Sequence, residues 1–135
     1  MPQPYPNGEL VIVIDCSDLD RSAAFWSGVL GYTPGPPAAG TGAASSDQYR
    51  GLQPESGAGI DVLLQRVPDV KRQKNRLHLD LRTPELEAEV GRVTGLGATL
   101  LTSEPVTEDG WLWHILADPD GNEFCVLQPP GIPSA

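Results

Sequence analysis

Asp118-Pro119-Asp120-Gly121-Asn122-Glu123-Phe124-Cys125-Val126-Leu127 is the stretch on which the fold turns. Asp-Pro and Asp-Gly are turn dipeptides, because proline presets φ and glycine accepts positive φ. The residues after the turn alternate as a strand, with Glu123 and Cys125 on one face and Phe124 and Val126 on the other. Upstream, Trp111 to Ala117 reads as the strand before the turn.

Working back from this hairpin, the second half of the chain is well punctuated. Arg76 to Arg82, RLHLDLR, alternates with Leu77, Leu79 and Leu81 on one side and His78 and Asp80 on the other. Thr83 is the expected N-cap of a helix, with Pro84 at N1. Leu86, Val90, Val93 and Leu96 form its apolar stripe, and Gly97 ends it. Gly91 within that helix is read as a mark of close helix–sheet packing. Ala98 to Thr102 is a further strand, and the tail from Pro129 to Ala135 is expected to be loose.

The first half has the same order. Leu10 to Ile14, LVIVI, predicts a buried strand. Ser17 or Asp18 caps a helix carrying Leu19, Ala23, Trp26 and Leu30, and Gly31 follows it as a C′ residue. Tyr32-Thr33, Gln48 to Gln53 and Ile60 to Val67 give three strands. Pro34 to Ser46, rich in Pro, Gly, Ala and Ser, reads as a long mobile loop. Both helices end in Leu-Gly before a strand. The repeat is longer than the roughly 20–50 residues of solenoid units, so it predicts a duplicated βαβββ module. Module one covers about residues 9–67 and module two about 75–128 of a single domain.

Composition narrows the partners. A chain of 135 residues with 39% hydrophobic and 20% charged residues suits one globular domain. Two cysteines, Cys16 and Cys125, make no disulfide framework. No apolar run approaches a membrane span, and Met1 to Glu9 lacks the features of a secretory signal, so a cytoplasmic location with free thiols is expected. The net charge of −9 argues against nucleic acid and anionic membrane as partners. Six of the nine cations fall between Arg66 and Arg82. They read as a solvated linker with its flanks, or alternatively as a local site for an anionic small molecule.

The chain resembles the vicinal-oxygen-chelate superfamily, and within it the glyoxalase-like domain proteins. The matching residues are Asp15-Cys16-Ser17-Asp18, Phe25-Trp26 and Leu30-Gly31-Tyr32 in the first module. In the second they are Asn75 to Asp80, Leu96-Gly97-Ala98 and the opening motif. The resemblance implies an α+β fold in which two tandem βαβββ modules form a paired, incompletely closed mixed β-barrel with the helices outside. It also implies, in catalytic members, a divalent metal (Zn, Ni, Fe or Mn) held by His, Glu or Gln from four strands.

On that pattern Leu10 to Ile14 offers no ligand. Asp61 or Gln65 is the candidate from the last strand of module one. His78 matches its position, and Cys125 stands where a Glu is usual. Glu123 restores the pattern only if its strand slips by two residues. The resemblance thus implies at most three ligands, His78, Cys125 and one of Asp61 or Gln65, with Gln65 taken as the candidate, and a metal-free protein is favoured. His78, Asp80 and His114 are the catalytic candidates, since imidazole and carboxylate suit proton transfer near neutral pH. His114 alternates with Leu112 and Leu116, against Trp111 and Trp113. Trp111 and Trp113 suit stacking on a planar ligand, with Gln65 and Cys125 beside them as ligand-binding candidates. The plainer reading of Cys125 and Cys16 is a small buried hydrophobe; that of Asp15 and Asp80 is a strand-end cap, and that of Trp26 is core. Together these imply a small-molecule-binding protein, expected as a homodimer. The alternative is a metal-dependent lyase, isomerase or dioxygenase acting on a small oxygenated metabolite.

Overall fold

The computed structural model describes residues 10–35, 48–56 and 59–131. The expected absence of a signal at Met1 to Glu9, most of the expected loop (36–46) and the end of the tail (132–135) lie outside the described residues. The fold is α+β. The chain divides into two compact units, Met1–Val70 and Lys71–Ala135.

In the first unit β1 (Val11–Cys16) leads into α1 (Leu19–Leu30), followed by β2 (Tyr32–Gly35), β3 (Tyr49–Pro54) and β4 (Asp61–Arg66). The strands form one sheet in the order β1-β4-β3-β2, with β1 and β4 parallel and the other pairs antiparallel. Asp18 caps α1, its carboxylate accepting the Arg21 N–H at 3.0 Å. Gly31 ends the helix at φ 71°, donating its N–H to the Ser27 carbonyl. An L side chain there would carry the left-handed penalty that glycine avoids. The buried stripe of α1 includes Leu19, Ala23, Phe25, Trp26 and Val29, and the helix lies against β2, β3 and β4. Trp26 is core as expected, at 1% exposure. Pro34 and Gly35, read as loop, instead close β2 opposite Leu52 and Gly51.

The second unit runs β5 (Leu79–Arg82), α2 (Leu86–Gly95), β6 (Thr99–Leu100), β7 (Val106–Glu108), β8 (Trp111–Ala117) and β9 (Glu123–Gln128). Its sheet has the order β5-β9-β8-β6, and β7 also pairs with β8. Leu86, Val90 and Val93 of α2 are buried, as are Leu116, Phe124 and Val126 of the sheet.

Three expectations are corrected here. The RLHLDLR strand is shorter, because the β9 ladder begins only at Leu79 opposite Phe124. Before it, the Asn75 N–H donates to the Glu123 carboxylate at 2.9 Å, and Leu77 is 88% exposed. The second helix starts at Leu86, not next to Thr83. The Thr83 hydroxyl accepts the Glu85 N–H, and the Gln128 side chain accepts the Leu86 N–H at 3.0 Å, so the free donors of the first turn are met from outside the helix. Gly91 marks no close packing, since a Cβ built there meets nothing within 4 Å.

The β8–β9 turn is held by Asp118, which is only 3% exposed. Its carboxylate accepts the N–H groups of Asp120 (2.9 Å) and Asn122 (2.8 Å) and the Asn122 side-chain amide (2.9 Å). Its own N–H and carbonyl bond to Asn122 and Gly121.

Two outcomes follow for stability. Asp118→Ala strands several part-buried donors and is expected to cost about 2–3 kcal/mol in urea unfolding; a cost within error of zero would refute the anchoring role. Gly91→Ala, on an exposed helical face, is expected to stabilise by about 0.5–1 kcal/mol, read as a higher unfolding midpoint.

Candidate functional site

The register of the second unit's sheet sorts its side chains onto two faces. Leu116 lies opposite Phe124, and His114 opposite Val126, on the face that carries the buried apolar residues. The other face takes the alternate positions. Asp80 and Arg82 of β5 pair with Cys125 and Leu127 of β9, which pair with Ile115 and Trp113 of β8. Trp111, two residues before Trp113, shares this face.

His78, just before β5, completes a cluster. One ligand atom each from His78, Asp80 and Cys125 lies within 4.8 Å of the others. His78 Nδ1 is 3.8 Å from Asp80 Oδ1. His78 and Asp80 are exposed and Cys125 is buried, so the cluster opens to solvent on one side. Burial pushes the Cys125 thiol up to about 11, helped by the neighbouring Asp80 carboxylate, which also accepts its hydrogen bond. At neutral pH the thiol is protonated.

Glu123 is the nearest carboxylate along β9, but it is engaged elsewhere. Its Oε1 accepts the Asn75 N–H at 2.9 Å and faces Lys71 Nζ at 3.2 Å. These contacts, the Asn75 N–H first, hold its carboxyl below the usual range despite partial desolvation. Lys71 also donates to the Gln73 carbonyl. Part of the basic stretch thus fastens its own segment to β9. Arg82 has another role: its guanidinium lies over Trp111, 5.2 Å from the ring centroid.

His114 is 2% exposed on the opposite face of this sheet from Cys125. Its Nδ1 lies 2.7 Å from Thr102 Oγ1, and its Nε2 lies 3.4 Å from Glu87 Oε1 on α2. Thr102 Oγ1 also accepts the Ile115 N–H, which leaves its own proton for Nδ1. Both ring nitrogens thus have partners, so His114 ties α2 and residue 102 to β8. Gln65 and Asp61 lie on β4 of the first unit, sharing a face, with Gln65 beside Asp15 and Tyr49 in the ladder. Within the second unit, Asp80 is the donor that the sheet places with His78 and Cys125. The alternation of RLHLDLR put His78 and Asp80 on one face; only the β5–β9 register adds Cys125.

Comparison with known proteins gives a consistent picture. A family model described as a glyoxalase-like domain matches residues 11–127. No curated protein matches. A glyoxalase/bleomycin resistance protein/dioxygenase family enzyme from Burkholderia phytofirmans PsJN is 21% identical, with a TM-score of 0.66 over 87% of this chain and 95% of that one. A glyoxalase-related enzyme from Fulvimarina pelagi is 19% identical, with a TM-score of 0.66 over 88% of this chain and 86% of that one. A fosfomycin resistance protein from Listeria monocytogenes, solved as a mutant with Mn(II) and dihydroxypropylphosphonic acid, is 15% identical. Its TM-score is 0.65 over 85% of this chain and 84% of that one. These likenesses show the glyoxalase/bleomycin resistance fold.

The thiol chemistry is directly measurable. Cys125 in the folded protein is expected to resist alkylation at pH 8, read peptide by peptide in a mass spectrometer against buried Cys16. Asp80→Asn removes the neighbouring negative charge, lowers the thiol pKa and speeds the reaction. Alkylation at the rate of an unfolded control would contradict the protonated, desolvated thiol.

Proposed function

The chain belongs to the glyoxalase-like domain family, and from that premise we propose that it is a small-molecule-binding protein that does not use a hard oxygen-chelated cation such as Mn(II). The observation that carries this is the open face of β5, β9 and β8, where Trp111, Trp113 and Arg82 adjoin His78, Asp80 and Cys125. Indole rings give a planar ligand a large contact area, and Arg82 offers an anionic group its charge. His78 and Asp80 supply a donor and an acceptor for a polar end.

The donor set does not suit a hard cation. Mg and Mn favour carboxylate, carbonyl and water oxygens, whereas the family's Glu position here carries a protonated thiol. Glu123 is taken up by Asn75 and Lys71. The Mn(II) and the phosphonic acid of the Listeria protein belong to that protein.

The second reading is a metal-dependent lyase, isomerase or dioxygenase, with His78 as ligand or base. The closeness of the three donor atoms favours it. In either reading a homodimer and a cytoplasmic location belong to the proposal. The net charge of −9 supports a partner other than nucleic acid. Among the described residues no helix is long and apolar enough to cross a membrane.

Two measurements separate these readings. Elemental analysis of tag-free protein is expected to find no stoichiometric Mn, Fe or Ni; any of these at one per chain, lost in His78→Ala, would establish the metal-dependent reading. With chelator present, a panel of small planar carboxylates is expected to quench tryptophan fluorescence saturably. Trp113→Ala is expected to weaken that binding by about tenfold, from roughly 1–1.5 kcal/mol of lost stacking. No quenching across the panel would count against the binder.

A further inference from the structure

We propose that the segment Lys71 to Arg76 binds a doubly charged oxyanion, a phosphate-type group carried by a small molecule. Its sequence, Lys71-Arg72-Gln73-Lys74-Asn75-Arg76, holds four cations and no acid, in a chain of net charge −9. Most other cations have partners. Arg50 pairs with Asp20 at 2.9 Å, Arg92 pairs with Glu89 at 2.7 Å, and Arg21 donates to the Ser17 hydroxyl. Arg82 lies over Trp111. Within the segment Lys71 is engaged, by Glu123 and by the Gln73 carbonyl. Arg72, Lys74 and Arg76 are exposed, and among the described residues their side chains have no ion pair or hydrogen bond.

The segment is held in place before any ligand arrives. Glu123, at the start of β9, accepts the Asn75 N–H at 2.9 Å and faces Lys71 Nζ at 3.2 Å, so residues 71 and 75 are tied to one carboxylate. The Lys71 stem also runs over the β8–β9 turn, 3.8 Å from where a Cβ on Gly121 would lie. A backbone fixed in advance loses little freedom on binding. Lys74 marks the position of the anion: its charge favours the ionised forms of both Glu123 and Cys125, which places it beside the open face of β9. The acids in reach are committed, Glu123 to Lys71 and Asn75, and Asp80 to the Cys125 thiol. Charges more than about 10 Å away are largely screened at 0.1 M salt, so these local cations outweigh the net charge of the chain. Three free cations within five residues favour a group with about two negative charges over a singly charged carboxylate, and the arginine forks suit its oxygens. The inference rests on the small-molecule reading only in laying the ligand's body on the adjacent open face; the oxyanion site stands on the segment itself.

The test follows the backbone amide NMR signals of the full-length, tag-free chain at low ionic strength. The chain is titrated with inorganic phosphate and, separately, with acetate. Phosphate is expected to shift the signals of residues 71–78 saturably and to bind at least about fivefold more tightly than acetate. Lys74→Gln and Arg76→Gln are each expected to weaken phosphate binding about threefold or more. Arg92→Gln, on α2, is expected to leave it unchanged. An unchanged melting temperature checks that each variant folds. Absence of saturable shifts, an equal response to acetate, or full binding in the doubly substituted chain would overturn the site. Pelleting with phosphatidic acid vesicles, without a response to soluble phosphate, would also overturn it by assigning the cations to a membrane surface. Tryptophan quenching by planar carboxylates is read in a separate, phosphate-free assay, so either proposal can fail while the other stands.

Discussion

The Asp118 carboxylate is the constraint on which the second unit depends. Three donors converge on it in the space of the β8–β9 turn, with Gly121 at φ 87° letting the chain reverse beneath it. That closure fixes the β8–β9 register, with Ala117 opposite Glu123 and Ile115 opposite Cys125. A slip of one residue would turn every β9 side chain to the other face. Phe124 and Val126 would leave the core, and Cys125 would leave Asp80. Stability and site are thus set by the same turn, although Asp118 takes no part in the site's chemistry.

Once register is fixed, the two histidines part company. His114 falls on the buried face, where an unpaired imidazole would be costly, and Thr102 and Glu87 meet both ring nitrogens. His78 falls at the strand's beginning, exposed and next to a carboxylate and a thiol. The two histidines that the sequence offers as acid–base candidates therefore stand in different surroundings, His114 buried with both ring nitrogens met and His78 exposed.

Much of the architecture is legible in local sequence. The caps at Asp18 and Gly31, the stripe of the first helix and the strands at 111–117 and 123–128 follow from turn chemistry and periodicity; the second helix keeps Leu86, Val90 and Val93 of its expected stripe, but Leu96 is its C-cap and 40% exposed. β7 lies outside the strands that periodicity marks, although Val106-Thr107-Glu108-Asp109-Gly110-Trp111 carries the Asp-Gly signal of a two-residue hairpin, and both turn residues adopt positive φ. The shortened β5 and the late start of α2 were not legible, because they depend on Glu123 and Gln128, which are distant in the chain. The site was half legible for the same reason. Alternation puts His78 and Asp80 on one face, but no local pattern says which β9 residue lies across from Asp80.

The thiol at position 125 changes the electrostatics of the face more than its shape. A carboxylate there would stand directly across the ladder from Asp80, and two like charges in such a pair destabilise each other unless a cation lies between them. A metal would then be close to a structural requirement. The protonated Cys125 carries no charge and donates to Asp80 instead, so the pair is satisfied with no ion present. The same substitution that makes the metal dispensable replaces a hard donor with a soft one. What the face retains is a carboxylate and a thiol in one satisfied pair, beside His78 and an arginine–indole contact.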